Sequence, residues 1–184
     1  ATSKRLGAVM QAFDVRPVVK EQVESLGATF VGLTEEENIE DKGGYAKEMT
    51  EESQNKERDL IHHYAKEADF IITTALIPGR PAPMLITKEI ILDMKPGSVI
   101  IDMAAEAGGN CELTKPGEKV IENGVAIFGP LNIPSTMPIH ASQMYSRNVV
   151  SLLDHITSEG KLVVDLNDAI TSGCCITHNG ELIN

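Results

Sequence analysis

The chain has 184 residues, of which 42% are hydrophobic, so it is long enough to form a domain with a buried core. It carries 27 acidic and 16 basic residues and a net charge of −11, which argues against binding to nucleic acid or to an anionic membrane surface. No apolar run approaches the roughly 20 residues of a membrane-spanning helix, so we expect no direct membrane insertion of this segment.

The cysteines and histidines give little support for a disulfide or a metal site. The chain has three cysteines, Cys111, Cys174 and Cys175. An odd number without CxxC spacing argues against a disulfide framework and favours a reducing compartment. His178 lies close to the last two cysteines in sequence, but neighbouring side chains of a strand point to opposite faces. We therefore expect no bound metal.

The first elements are predicted to be a helix end, a strand and a second helix. Residues 1–7 finish with basic side chains and a glycine, as the last turn of a helix does. Residues 8–13 form a near-continuous apolar run, which is typical of a strand buried on both faces. The next helix has Pro17 in its first turn and Gly27 as its stop.

Asp14 falls where the strand of residues 8–13 meets solvent. In a nucleotide-binding α/β fold, an acid at the carboxyl end of the second strand accepts hydrogen bonds from the adenosine ribose and disfavours a 2′-phosphate, which selects NAD over NADP. An Asp at a strand end is also common as an ordinary turn or cap residue. This segment alone leaves both interpretations open.

A short strand, a loop and a helix are predicted next. The loop of residues 34–42 is acidic and poor in apolar side chains, and Gly43, Gly44 and Tyr45 follow it. A helix is expected over residues 50–68, although its first half is nearly all polar. Residues 69–77 are the next predicted buried strand, because a proline-rich stretch ends them.

The remaining pattern adds two strands, a long helix and a hairpin. A short helix capped by Thr87 precedes an apolar strand over residues 98–103, and residues 125–128 are the last strand of the parallel set. Residues 139–156 carry a helical apolar stripe, and strands over 174–177 and 181–183 are expected to pair around an Asn-Gly turn. Buried strands that alternate with helices predict an α/β fold, a doubly wound parallel sheet.

Four blocks of the sequence resemble a single family, in the same order. They read FDVRPVVKEQVESLGATF, GGYAKEM, TTALIPGRPAP and GSVIIDMAAEAGGNCELT. Together they are similar to the NAD-binding domain of the proton-translocating NAD(P) transhydrogenases, in their alpha subunit or the equivalent part of a fused chain. Alanine dehydrogenases, which are soluble relatives, are similar in the last two blocks but lack a counterpart to GGYAKEM.

The resemblance implies a Rossmann-like domain over residues 1–160 and a hairpin segment over residues 161–184 that packs toward a further domain. It implies no catalytic side chain, and it places Glu106 in the wall of the site. The residues that it implies for NAD binding are Asp14, Val15, Arg16, Gly44, Tyr45, Thr74, Ala75, Leu76 and Asn132. Gly44 and Tyr45 would belong to a mobile loop that closes over the nucleotide, and Asn132 would bind the nicotinamide amide, with a buried turn as the equal alternative.

The resemblance further implies that NADH bound here passes hydride to NADP⁺ on a partner domain, coupled to proton translocation by a separate membrane domain. It implies a homodimer and a soluble domain of an inner-membrane enzyme, facing the bacterial cytoplasm or the mitochondrial matrix. The sequence has no GxGxxG turn, so we expect the first strand and phosphate-binding turn to lie upstream and the truncated chain to be inactive alone. An alanine dehydrogenase-like enzyme and an inactive fragment of either protein are the alternatives.

Overall fold

The computed structural model describes residues 1–32 and 51–183. The chain divides into two compact units, Ala1–Leu131 and Asn132–Asn184. The first unit contains, in chain order, α1 (Thr2–Arg5), β1 (Gln11–Phe13), α2 (Lys20–Ser25), β2 (Thr29–Val31), α3 (Glu51–Ala65), β3 (Phe70–Thr73), α4 (Lys88–Asp93), β4 (Val99–Asp102), β5 (Lys119–Glu122) and β6 (Val125–Phe128). Short 3₁₀ turns lie over Pro17–Val19 and Ala105–Ala107.

The described strands of the first unit form two sheets. β1 and β2 pair in parallel. The larger sheet has the order β3-β4-β6-β5, in which β3, β4 and β6 are parallel and β5 is antiparallel to β6. The carboxyl ends of β3 and β4 therefore meet at one edge, where Thr73 is paired with Asp102. The prediction of an α/β fold with parallel strands between helices is confirmed.

The core of the first unit joins α3 and α4 to the larger sheet. Ile90 and Ile91 of α4 and Met94 just after it are buried and pack in one cluster with Ile100 of β4 and Ile127 of β6. Burial of such side chains stabilises the fold by about 1.5–3 kcal/mol each. The predicted cap of α4 is also confirmed, because the Thr87 side chain accepts a hydrogen bond from the backbone nitrogen of Ile90.

Two strands are shorter and more exposed than the sequence predicts. β1 covers only the second half of the apolar run, and Val9 is 94% exposed. β3 ends at Thr73 instead of Ile77, and its Phe70 and Ile72 are exposed. Both predictions of full burial are wrong, because Val9 lies outside β1 and because one face of β3, that of Phe70 and Ile72, is exposed.

The β5–β6 hairpin is absent from the sequence-based predictions. Its turn consists of Asn123 and Gly124, with φ of 48° and 78°, which is the backbone of a type I′ turn. The antiparallel β5 ends the parallel series on that side of the sheet.

The second unit contains one long helix, a short helix and two small hairpins. Its elements are α5 (Pro138–His155), β7 (Thr157–Ser158), β8 (Lys161–Leu162), α6 (Ala169–Cys174), β9 (Thr177–His178) and β10 (Glu181–Leu182). The predicted long helix and the hairpin turn at Asn179 and Gly180 are confirmed, with φ of 52° and 84° in that turn. Cys174 lies in α6 and not in the predicted strand, because Asp168 caps a helix just before it.

A 3₁₀ turn over Ile133–Thr136 precedes α5. None of the helices within residues 1–32 and 51–183 combines the length and the apolar content that crossing a membrane requires.

Candidate functional site

Asp14 directly follows β1, as predicted, and its carboxylate is held by Arg16. The backbone nitrogen of Arg16 donates to Oδ1 at 2.9 Å, and Nε and Nη2 of the guanidinium donate to Oδ1 and Oδ2 at 3.0 Å each. Bidentate, charge-assisted bonds of this kind fix the orientation of both side chains. The Asp14 side chain remains 28% exposed, so an oriented carboxylate faces partly into solvent at the end of a parallel strand.

Residues 74–76 follow the carboxyl end of β3, which is the edge where open α/β sheets bind ligands. Thr74 and Leu76 are exposed, whereas Ala75 between them is half-buried. This alternation is that of an extended backbone, in which successive side chains point in opposite directions. The segment therefore presents two side chains to solvent and turns its small residue toward the protein.

A buried carboxylate, that of Asp102, organises the end of β4. It is fully buried and accepts five hydrogen bonds of 2.7–3.1 Å. The donors are the hydroxyls of Thr73 and Thr114 and the backbone nitrogens of Ala104, Asn110 and Cys111. Several donors offset the cost of removing a carboxylate from water. Asp102 thereby ties the ends of β3 and β4 to the loop that follows.

Asn110 is the second buried polar centre of this edge. Its Oδ1 accepts from the backbone nitrogen of Ala75 at 3.0 Å, and its Nδ2 donates to the carbonyls of Ala75 and Pro83 at 2.9 and 2.8 Å. Its own carbonyl accepts from the backbone nitrogens of Leu85 and Ile86. One side chain thus connects the segment after β3 with the proline-rich stretch that follows it.

Gly109 allows the loop to approach Asp102 closely. Its φ is +86°, and a Cβ at this position would lie 2.8 Å from Oδ2 of Asp102. Both the left-handed backbone and the close contact require glycine.

The titratable groups of this edge do not form a nucleophile or a metal centre. Burial raises the pKa of the Cys111 thiol, which disfavours the reactive thiolate. Within the described residues, no group of three or more His, Cys, Asp and Glu side chains is arranged to hold a metal ion.

The match that identifies the family covers the whole chain. Residues 1–184 match the family described as alanine dehydrogenase/PNT, C-terminal domain. The chain belongs to this family. The resemblance stated from four sequence blocks is confirmed by this match and by relatives named NAD(P) transhydrogenase subunit alpha.

Three known proteins are similar to this alanine dehydrogenase/PNT domain. It is 48% identical over 188 residues to an NAD(P) transhydrogenase alpha-subunit polypeptide of Rhodospirillum rubrum, covering 100% of this chain and 49% of that protein. An alanine dehydrogenase of Halomonas elongata is 31% identical over 130 residues, or 67% of this chain and 34% of that protein. The crystal structure of a transhydrogenase from Sinorhizobium meliloti has a TM-score of 0.74 at 39% identity, with 98% and 47% of the two chains covered.

The chain thus spans about half the length of the transhydrogenase relative from R. rubrum. The similarity to the solved transhydrogenase confirms the predicted Rossmann-like α/β fold.

The other predicted site residues of this alanine dehydrogenase/PNT domain are placed as follows. Val15 is half-buried between Asp14 and Arg16. Asn132 opens the second unit with φ of 49°, and its Oδ1 accepts from the Ser135 hydroxyl at 2.8 Å. Glu106 is exposed in the 3₁₀ turn after β4.

Gly44 and Tyr45 lie outside the described residues. Their assignment to a nucleotide-covering loop stays a prediction, as do all of the assigned nucleotide contacts and the functional division of the chain at residue 160.

Two buried residues of this family domain, Asp102 and Asn110, are missing from the sequence-based candidates for binding. Asp102 is recognised in the sequence only as an acid near a strand end. The Gly-Gly-Asn sequence at residues 108–110 is the signal for Asn110, because adjacent glycines mark a loop that approaches another group closely. Which group it approaches follows only from the tertiary structure.

Proposed function

We propose that this chain is the NAD(H)-binding part of an NAD(P) transhydrogenase. The observation that carries the proposal is the Asp14 carboxylate, which is oriented, partly exposed and located directly after a parallel strand. That combination suits recognition of a ribose diol by an acid at a strand end. The 48% identity to a transhydrogenase subunit over the whole chain supports the same family role.

The carboxylate of Asp14 has room for a ribose hydroxyl. An ionised carboxylate offers about four acceptor positions, and Arg16 uses two on Oδ1 and one on Oδ2. We infer that a hydroxyl of the adenosine ribose donates to Oδ2. A 2′-phosphate at the same place would be repelled by the negative charge, so the site would select NAD(H) over NADP(H).

The segment after β3 and the predicted flap would complete the site. Residues 74–76 would lie against the dinucleotide through the exposed side chains of Thr74 and Leu76, at the strand-end edge where open α/β sheets bind ligands. Gly44 and Tyr45 would cover the nucleotide and exclude water. Asn132 would bind the nicotinamide amide, and Val15 and Arg16 would complete the ribose pocket.

The cofactors would carry out the chemistry, and this chain would hold the nicotinamide ring of NADH in position. Bound NADH would supply the hydride, which NADP⁺ on a partner domain would accept to give NAD⁺ and NADPH. Holding the donor ring at contact distance from the acceptor makes the transfer effectively intramolecular. Because the hydride carries both electrons, no side-chain acid or base is needed, and the site would have no catalytic side chain.

The wider assembly is inferred from the family resemblance, and two of the relatives are named as subunits of an NAD(P) transhydrogenase. We propose as partners an NADP(H)-binding domain and a separate membrane domain that couples the transfer to proton movement. A homodimer, located at an inner membrane and facing the bacterial cytoplasm or mitochondrial matrix, completes this proposal.

The partial match to the H. elongata enzyme makes an alanine dehydrogenase activity the alternative function. One pair of assays distinguishes the two functions. With the full chain, alanine-dependent reduction of NAD⁺ should be absent. Hydride exchange between NADH and an NADP⁺ analogue should appear once the NADP(H)-binding domain is added. Alanine-dependent reduction without exchange would support the dehydrogenase, and the absence of both would support an inactive fragment.

A further inference from the structure

We propose that Asn110 is a positioning residue for nucleotide binding, whose buried side chain fixes the backbone of residues 74–76 in the conformation that receives the dinucleotide. The inference rests on the proposed function, in which that segment lies against NAD(H). It adds a residue that would not itself contact the nucleotide.

The Asn110 side chain bonds to the Ala75 backbone in the way that a neighbouring strand would. Oδ1 of Asn110 accepts from the backbone nitrogen of Ala75, and Nδ2 donates to the carbonyl of the same residue, at 3.0 and 2.9 Å. Two opposed bonds to one residue restrain its φ and ψ together. A neighbouring strand does the same within a sheet.

The restraint determines what the segment presents to solvent. With the Ala75 backbone bonded to Asn110, the side chains of Thr74 and Leu76 are exposed on either side of it. β3 itself ends at Thr73. The segment continues in a defined conformation past the strand because Asn110 supplies the hydrogen bonds that a strand would otherwise provide.

Asn110 is itself held rigidly. It is fully buried, its backbone nitrogen donates to Asp102 at 2.8 Å, and its Nδ2 is also bonded to the carbonyl of Pro83. Both Nδ2 hydrogens are therefore used within the protein. Because its side chain is fully buried, Asn110 would act on a ligand through the backbone that it holds at Ala75 and Pro83, which distinguishes it from a residue that contacts the nucleotide.

The test compares Asn110→Ala with Thr87→Ala in the full chain, by titration of NADH fluorescence. Thr87 caps α4, so its loss weakens the same unit without removing a hydrogen bond to Ala75 or to the Asn110 side chain. We expect the dissociation constant for NADH to rise about tenfold to a hundredfold in Asn110→Ala, because misplaced binding groups cost this much. The Thr87→Ala value should stay within about twofold of the native one.

Asn110→Asp preserves the side-chain volume and provides a second readout. Its ionised carboxylate would repel the two carbonyls, whereas its protonated form would regain one donor. NADH affinity of this variant should therefore recover as the pH is lowered, while that of the native chain changes little. If Asn110→Ala does not fold, this pH profile decides the inference.

Native binding with unchanged affinity in Asn110→Ala, or a flat pH profile in Asn110→Asp, would overturn the positioning role and leave the proposed function intact. An equal loss in Thr87→Ala would also overturn it, since general destabilisation would then explain the effect. Failure of the native chain to bind NADH would instead overturn the proposed function, and this inference with it.

Discussion

The carboxylate of Asp14 and the guanidinium of Arg16 are joined by two parallel hydrogen bonds of 3.0 Å each. A third bond, from the Arg16 backbone, leaves Oδ2 as the oxygen with the greater remaining acceptor capacity. The pair therefore presents a fixed negative charge, with a cation beside it, at the end of β1. Under the proposed function, a hydroxyl of the adenosine ribose would donate to Oδ2.

Removal of the Asp14 carboxylate should weaken NADH binding. Asp14→Ala should cost about 1–3 kcal/mol of binding free energy, the value of a hydrogen bond to a charged acceptor. Isothermal titration with NADH measures this change. Glu24→Gln, which removes an exposed acid from α2, is the matched control and should bind normally. Unchanged affinity in Asp14→Ala would show that the ribose assignment is wrong.

Replacement of the buried Asp102 by an amide should strongly destabilise the first unit. Asp102→Asn retains an acceptor at one oxygen, but its amide group cannot accept from the backbone nitrogens of Asn110 and Cys111. Buried N–H groups left without partners predict a loss of about 2–5 kcal/mol in the free energy of unfolding. Urea denaturation measures it. Thr114→Val removes a single bond to the same carboxylate and should cost only about 1 kcal/mol.

The two adjacent glycines after β4 should respond differently to alanine. Both have positive φ, of 100° for Gly108 and 86° for Gly109, but only at Gly109 would a Cβ meet Asp102. Gly108→Ala should therefore cost about 1 kcal/mol from backbone strain alone, and Gly109→Ala clearly more. Thermal unfolding of both variants gives the comparison. Equal losses would mean that the loop relaxes away from the carboxylate without penalty.

Acid should weaken the second unit through Asp168. The hydrogen bond from His155, followed by those from Thr171, lowers the pKa of Asp168 from 3.8 to about 2. A folded-state pKa below the unfolded value means that this stabilisation is present above about pH 4 and is lost as the pH falls toward 2. Asp168→Asn keeps an acceptor for the helix cap and lacks this titration. The difference in thermal stability between the native and variant chains should therefore shrink as the pH falls from about 4 toward 2. A difference that stays constant would contradict the lowered pKa of Asp168.

The elements with local signals could be predicted from the sequence. Thr87 caps α4 through its own side chain, and the Asn179–Gly180 turn needs only a left-handed backbone at two adjacent residues. The same reasoning applies to Asn123 and Gly124, an Asn-Gly pair between two apolar segments that predicts a hairpin. That hairpin was predictable from this pair, although the predicted elements include no strand between residues 104 and 124.

The parts that depend on tertiary contacts could not be predicted in the same way. Val9 belongs to an apolar run, but its burial depends on whether another element packs over it, and composition does not specify that. Asp102 was visible as an acid near a strand end, whereas its five donors come from residues 73–114, brought together only by folding. For the same reason, no local pattern indicated that Asn110 would bond to the backbone of Ala75.

The convergence of donors on Asp102 also determines how this edge of the sheet opens. Breaking any one of these bonds leaves part of a buried carboxylate uncompensated, which is costly. The amide hydrogens of Asn110 and Cys111, which share Oδ2, should therefore exchange with deuterium with one common protection factor. Such a cooperative unit does not fray from its ends, so thermal fluctuation would release the loop after β4 as a whole or leave it closed.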